Sequence, residues 1–354
     1  PAGRIVRLES PHAALVLHYD NSASSVCEAA GLISPNQYGF SLPKGRMTVL
    51  VSPANYRQRR DFYGPDFNVR PLLFKWSSLS ADHLKRIMRI RDGDSQLYVA
   101  VLLDLLRRYQ RRDKFPVYQD FVDEVIEACN AKGQDGPLRQ RLSLLNSVIA
   151  ESTDNAELAG VAADLSDVCA PGNLVVVDLS DPLLAKDEAN GIFAVLTEQF
   201  RIMHIQRCGG KLLVLDEAHK FMDGDDGLSD AIVAVARLMR HDGMRLAVST
   251  QSPKALAPEL LELLTVAVLH RFHSKDWLAY LQQKLPLDRD NVWRRLVELQ
   301  PGHALVFASQ LAISHPSVQE GECGRNVFPL RVRDRLTSDW GKTVTNVASK
   351  TQHK

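Results

Sequence analysis

The sequence predicts an α/β fold, a three-layer arrangement with a mostly parallel sheet interrupted by a helical insertion. Short aliphatic and β-branched runs alternate with amphipathic segments of helical period, as strands joined by helical crossovers do. One run, 174–177, is continuously apolar, which marks a strand covered on both faces. Between 79 and 167 the strand signals give way to helical periodicity.

Taken in order, the first strand candidates are 14–18, 48–52 and 71–74, the last two ending at Pro or Ser punctuation. Ser80-Ala81-Asp82-His83 then reads as a helix cap ahead of Leu84, Ile87, Met88 and Ile90 on one face. Leu97, Val101, Leu102, Leu105 and Leu106 repeat at helical spacing, as do Phe121, Val125 and Ile126. After a glycine-bounded break at 133–136, Leu138, Leu142, Leu145 and Ile149 resume the period. Pro171-Gly172 introduces strand 174–177, followed by helix 186–203, strand 212–215, helix 229–240, and strands 245–249 and 266–269. Runs 304–307 and 327–332 are expected to close the sheet. The chain thus divides into an N-terminal part of the sheet (1–78), a helical insertion (79–167), a C-terminal part of the sheet (168–333) and a flexible tail (334–354).

With 45% hydrophobic and 24% charged residues over 354 positions, the material suffices for a sizeable core. A formal net charge of +1 excludes a uniformly basic nucleic-acid sleeve and leaves room for a local basic patch. The five cysteines (Cys27, Cys129, Cys169, Cys208 and Cys323) are scattered without a CxxC pair, which fits a reducing compartment and thiols used as small core residues. Residues 1–10 hold no secretory signal, and no apolar run approaches the roughly 20 residues of a membrane helix. The expectation is a soluble, intracellular protein, cytoplasmic or nuclear, with no membrane partner.

The most informative stretch is Lys211-Leu212-Leu213-Val214-Leu215-Asp216-Glu217-Ala218-His219. Four aliphatic residues form a buried strand and two acids stand at its carboxyl end, where open α/β sheets bind ligands. In a Walker B arrangement the first acid, Asp216, holds Mg²⁺ on ATP, and the second, Glu217, orients the attacking water. The plain alternative is an acidic strand end that starts a turn. Adjacent carboxylates there carry desolvation and repulsion costs that a cation relieves.

The next strand ends in Thr250-Gln251. Gln251 is the candidate for a sensor touching the γ-phosphate or the water, with Thr250 second; ordinary loop polarity is the alternative. Arg271, after strand 266–269, and Arg245, at the start of the sensor strand, are candidates to stabilise phosphate charge, with surface solvation as the alternative for each.

The segments "LLVLDEAH" (212–219), "VARLMRHDGMRLAVSTQSP" (235–253) and "LTVAVLHRFHS" (264–274) resemble, in order and spacing, the HerA/FtsK superfamily of DNA-pumping P-loop ATPases. The likeness covers about 174–307. It implies a RecA-like core of the additional-strand catalytic-glutamate class, ATP and Mg²⁺ as cofactors, a homo-oligomeric ring and DNA as partner. The departure is the phosphate loop, which needs G-x-x-x-x-G-K-[ST] so that backbone N–H groups and a lysine cradle the phosphates. Gly210-Lys211 precedes a strand, and Gly341-Lys342-Thr343 has Leu336 where the first glycine belongs. In the family that strand and helix come just before 14–18, so a truncated or split ATPase is expected, with Walker A upstream or on a partner subunit. A degenerate ATPase with another phosphate site is the alternative.

Two clusters interleave arginine with aromatics, as phosphate grips do: Arg57, Arg59 and Arg60 with Phe62 and Tyr63, and 107–112. The first is the candidate nucleic-acid contact, against the plain reading of a solvated helix face. Asp178, after strand 174–177, belongs either to the Mg²⁺ shell or to the turn that follows. The acidic run 222–230 fails as a calcium loop, because Leu228 stands where the turn glycine belongs. His270 and His273 lack a completing zinc ligand. Other functions stay open: a catalytically incomplete ATPase-like scaffold or interaction module, a plain nucleic-acid binder, and a DEAH-type helicase fragment, which lacks the paired-arginine run of such enzymes.

Overall fold

Strand β1 (Ala13–Asp20) runs through the middle of a parallel six-stranded sheet in a computed structural model that describes residues 10–34, 41–90, 97–112, 116–129, 135–222, 227–287, 289–309, 327–333 and 337. Its neighbours are β4 (Leu174–Ser180) and β5 (Lys211–Asp216). Beyond β4 lie β2 (Met47–Val51) and the edge strand β3 (Asn68–Pro71); beyond β5 lies β6 (Met244–Val248). The order is β3-β2-β4-β1-β5-β6. Burial follows this order. Every residue of β2 and β4 is buried, whereas β3 alternates exposed and buried and stops at Pro71, which has no N–H to give a further ladder.

Helix α1 (Tyr56–Tyr63) connects β2 to β3. Between β3 and β4 come α2 (Ala81–Ile87), α3 (Leu97–Arg112), α4 (Tyr118–Ala128), α5 (Asp135–Asn146) and α6 (Leu165–Val168), in the interval read as an insertion. Ser80 caps α2 reciprocally: its hydroxyl accepts from His83 N at 3.3 Å, and Ser80 N donates to His83 Nδ1 at 3.2 Å. Tyr98, Leu102, Phe121 and Leu145 from these helices share one core with Leu15, Leu17 and Leu50 of the sheet.

Helix α7 (Lys186–Ile202) packs under the sheet against α2, where a Cβ on Gly191 would meet the Arg86 carbonyl oxygen at 2.7 Å. Its carboxyl end is held by Lys211, whose Nζ donates to Phe200 O at 3.0 Å and Met203 O at 3.2 Å. Helix α8 (Gly227–Leu238) follows β5, and α9 (Pro258–Glu262) links β6 to β7 (Val266–Leu269). Helices α10 (Lys275–Lys284) and α11 (Arg289–Glu298) precede β8 (His303–Ala308) and β9 (Val327–Arg331).

Two expectations need correction. The strand read at 71–74 lies earlier, at Asn68–Pro71; Leu72 N still donates to Val51 O of β2 at 2.9 Å, and isolated bridges follow, Leu72 with Ala163 and Phe74 with Ile149. The last three strands do not close the parallel sheet. They form a separate antiparallel sheet, β7-β8-β9. The tail 338–354, Cys323, Gly341-Lys342-Thr343 and 223–226 of the acidic run lie outside the described residues. Among the described residues no helix is long and apolar enough to cross a membrane.

Candidate active site

Three strands deliver polar residues to one end of the sheet. The register places His18 of β1 level with Asp178 of β4 on one side and Asp216 of β5 on the other. Parallel pairing brings all three to the carboxyl ends of their strands, where loops leave room for ligands. His18 Nδ1 lies 3.0 Å from Asp216 Oδ2, and the Cys27 thiol faces the same oxygen at 3.7 Å. Burial, then the Asp216 charge, pushes the Cys27 thiol well above its usual range. Ser25 Oγ is 3.3 Å from His18 Nε2 and completes this row.

Glu217 stands directly after Asp216 in left-handed backbone, with φ 53° and ψ 44°. A non-glycine residue held there stores backbone strain, which tends to occur where side-chain direction matters for chemistry. The turn aims the Glu217 carboxylate at the end of β6. There Gln251 Nε2 donates to Glu217 Oε2 at 2.7 Å, and Gln251 N donates to His219 Nδ1 at 3.2 Å. Lys220 lies between two acids: its Nζ is 2.6 Å from Asp20 Oδ2 and 4.0 Å from Glu217 Oε2. Burial works against the Asp20 charge, but the bonds from Lys220 and Ser22 N outweigh it and hold the Asp20 carboxyl below its ordinary value.

Asp216, Glu217 and Gln251 therefore come together as the spacing predicts. Thr250 sits beside them, though its Oγ1 is engaged locally, donating to Ser252 O at 3.0 Å. Arg271 follows β7 and lines the same cleft as Glu217 and Gln251. Arg245 does not belong here. It pairs in register with Leu212, four residues before Asp216, which puts it roughly 13 Å back along the sheet at 3.3 Å per residue. Its guanidinium turns to its own neighbour, Met244 O, at 2.9 Å.

The arginine run of α1 also divides. Arg57 and Arg60 are on the surface, beside Glu157 and Asp61. Arg59 points inward with no side-chain exposure, pairs with Asp178, and donates to Ala23 O and, at 2.9 Å, to Ser25 O. It is unavailable to nucleic acid. Phe62 and Tyr63, read as stacking partners for bases, lie instead against the Arg59 guanidinium at 4.6 and 5.0 Å. Asp178 likewise belongs neither to a metal shell nor to a solvated turn, since Arg59, Tyr63 and Ser180 all bond to it. Of the second cluster, Arg107, Arg108 and Arg111 are exposed while Tyr109 turns inward to Glu124.

The residues that sequence reading missed are His18, Ser25, Cys27, Asp20 and Lys220. Their only signal was polarity at the end of β1 and directly after the acidic pair. As a magnesium site, Asp216 fits the part of the single carboxylate that a phosphate-borne, largely hydrated Mg²⁺ requires. One of its oxygens already faces His18, and the side chain keeps 24% exposure. The imidazole, thiol and carboxylate atoms of His18, Cys27 and Asp216 lie within 4.8 Å of one another.

No family model and no curated protein matches the sequence. Among solved structures, the bacterial conjugative coupling protein TrwB is similar over 93% of this chain and 80% of its own, at 10% identity and a TM-score of 0.50. VirB4 of Thermoanaerobacter pseudethanolicus matches over 91% of this chain and 89% of its own, at 17% identity and TM-score 0.49. The genome-packaging NTPase of Sulfolobus turreted icosahedral virus 2, in complex with AMPPCP, matches over 49% of this chain and 73% of its own, at 18% identity and TM-score 0.38. At such identities a likeness speaks for the fold alone. On the match to TrwB, with its extent over both chains, the chain has the α/β, RecA-like fold of that protein.

Proposed function

We propose that the chain is the acid-bearing core of an ATP-hydrolysing motor of the HerA/FtsK type. The observation that supports this most directly is the Glu217–Gln251 bond beside Asp216, at the ligand-binding end of the sheet. Asp216 holds Mg²⁺ on the nucleotide, and the ion, when bound, neutralises charge on the phosphate oxygens. Glu217 orients and polarises the attacking water. Gln251 fixes the Glu217 carboxylate through its amide N–H and leaves its amide oxygen for the water. Thr250 supports the Gln251 turn, and Arg271 supplies positive charge at the cleft. Lys220, bonded to Asp20, keeps a second cation near Glu217. Sheet parts 1–78 and 168–333 make one catalytic unit around the insertion 79–167. The motor works as a homo-oligomeric ring on DNA, with Arg57 and Arg60 on the surface that meets phosphates.

Titration calorimetry with Mg-ATP tests the reading, on the wild-type chain and on Asp216→Ala. Weak, Mg-dependent binding that the substitution abolishes is the expected result. Equal binding by both proteins, or none by either, overturns the reading for this chain.

A further inference from the structure

Beside Asp216 stand two groups that ATP hydrolysis does not employ. His18 Nδ1 lies 3.0 Å from Asp216 Oδ2, and the Cys27 thiol lies 3.7 Å from the same oxygen. The three come from separate elements: the end of β1, the residue before the short helical turn Glu28–Ile33, and the end of β5. His18 and Cys27 are buried, whereas the Asp216 side chain keeps 24% exposure and opens the group to water.

These spacings fit a coordinated ion. Tetrahedral zinc, with Zn–N and Zn–O about 2.1 Å and Zn–S about 2.3 Å, sets nitrogen and oxygen ligands about 3.4 Å apart and sulfur and oxygen about 3.6 Å apart. The first gap here would open slightly and the second close slightly. The remaining edge, from imidazole to thiol, is within 4.8 Å and has to shorten most. Burial and the Asp216 charge keep the Cys27 thiol protonated when no cation is bound. A divalent cation replaces that proton, and thiolate and carboxylate cancel its two charges. The neighbouring Asp178 is already neutralised by Arg59.

The imidazole is also held from behind. Ser25 Oγ lies 3.3 Å from His18 Nε2, the nitrogen turned away from Asp216. By accepting the Nε2 proton it fixes the tautomer whose bare Nδ1 can take a metal, the kind of partner that metal-binding histidines ordinarily have. Ser25 is anchored in turn, since its carbonyl accepts from the buried Arg59 at 2.9 Å.

We propose that His18 Nδ1, Cys27 Sγ and Asp216 Oδ2 bind one zinc-class divalent cation, with water in the fourth position on the exposed side of Asp216. One sulfur, one imidazole and one carboxylate favour zinc or cobalt over Mg²⁺, which takes oxygen ligands in an octahedron. On binding, the thiol proton passes to solvent, and the neutral imidazole keeps its single proton on Nε2. The site stands without the ATPase reading. One consequence alone rests on that reading: zinc on Asp216 takes the carboxylate that Mg²⁺ on the nucleotide requires, and so arrests turnover.

Cobalt titration of the metal-stripped, reduced chain, with no nucleotide present, tests the site. The expected result is equimolar uptake, with tetrahedral d–d bands and a thiolate-to-cobalt charge-transfer band that added zinc abolishes. Cys27→Ser should remove the charge-transfer band, and Ser25→Ala should keep it while weakening affinity about 10–100-fold. The double variant Cys169→Ser with Cys208→Ser should bind as wild type, since those partly exposed thiols lie outside the group. X-ray absorption of the zinc-loaded wild-type chain needs no variant, and should show one sulfur and one imidazole in the coordination shell. No uptake, a shell with no sulfur or with several, or a band that survives Cys27→Ser overturns the proposal and leaves the three as a hydrogen-bonded cluster. Because nucleotide is absent, a failure of Mg-ATP binding does not touch this outcome, and a failure here leaves Asp216 free for Mg²⁺.

Discussion

The Gln251 side-chain amide donates to Glu217 Oε2 at 2.7 Å, joining the loop after β6 to the turn after β5. A carboxylate in left-handed backbone is thereby held from its tip as well as from its root.

Glu217→Gln is therefore expected to lower ATP hydrolysis by the assembled protein about 10²–10⁴-fold while nucleotide binding persists, the loss typical of a missing general base. Gln251→Ala should lower it less, since the carboxylate remains but loses its orientation. Steady-state turnover set beside nucleotide titration separates these effects. Unchanged turnover in Glu217→Gln would remove this residue from the chemistry.

Arg59 and Asp178 form an ion pair with no side-chain exposure on either partner. Removing one member leaves a buried charge uncompensated, so Arg59→Ala should destabilise the fold by about 3–5 kcal/mol in urea unfolding. The double variant Arg59→Met with Asp178→Leu should recover much of that loss. A loss under about 1 kcal/mol in the single variant would mean that water reaches the pair.

Gly191→Ala tests the α2–α7 crossing. The added methyl would stand 2.7 Å from a backbone oxygen, which cannot swing aside as a side chain can. A cost of about 1–3 kcal/mol is expected from overpacking. A melting temperature equal to wild type would show that the two helices can separate freely.

The Asp20–Lys220 pair gives a pH dependence of defined sign. Asp20 titrates below its ordinary value of 3.8 in the folded protein, so the stability it brings is fully present above that value. It is lost as pH falls through the lower, folded value. Asp20→Asn should thus cost about 1 kcal/mol at neutral pH, and the gap from wild type should close below about pH 3.8. A gap independent of pH would assign the loss to packing.

That Asp216, Glu217 and Gln251 lie together was legible in the sequence because they are consecutive with strong strands. Apolar runs 212–215 and 245–249 fix where β5 and β6 end, and the residues that follow must lie side by side. Periodicity also located β1, β2, β4, α7 and α8 to within a few residues. It could not show that His18 and Cys27 approach Asp216, since strand order is a property of the whole sheet. Nor could it show that β7, β8 and β9 form their own sheet, because a run of four to six apolar residues reads alike in parallel and antiparallel company. Arg245 was read at the start of its strand and stands there, and the parallel register with Leu212 keeps that end away from Asp216.

The inward turn of Arg59 changes how a mutational scan of its helix must be scored. Arg57, Arg59 and Arg60 look interchangeable in print, and a triple charge reversal would be the natural probe of DNA contact. Two of those substitutions would act at the surface, on exposed pairs with Glu157 and Asp61, whereas the third would unseat the carbonyls of Ala23 and Ser25 and, with them, the hydroxyl facing His18. A binding assay on the triple variant would then report misfolding under the name of lost affinity. Arg57 and Arg60 reversed as a pair, with Arg59 untouched, give the interpretable experiment.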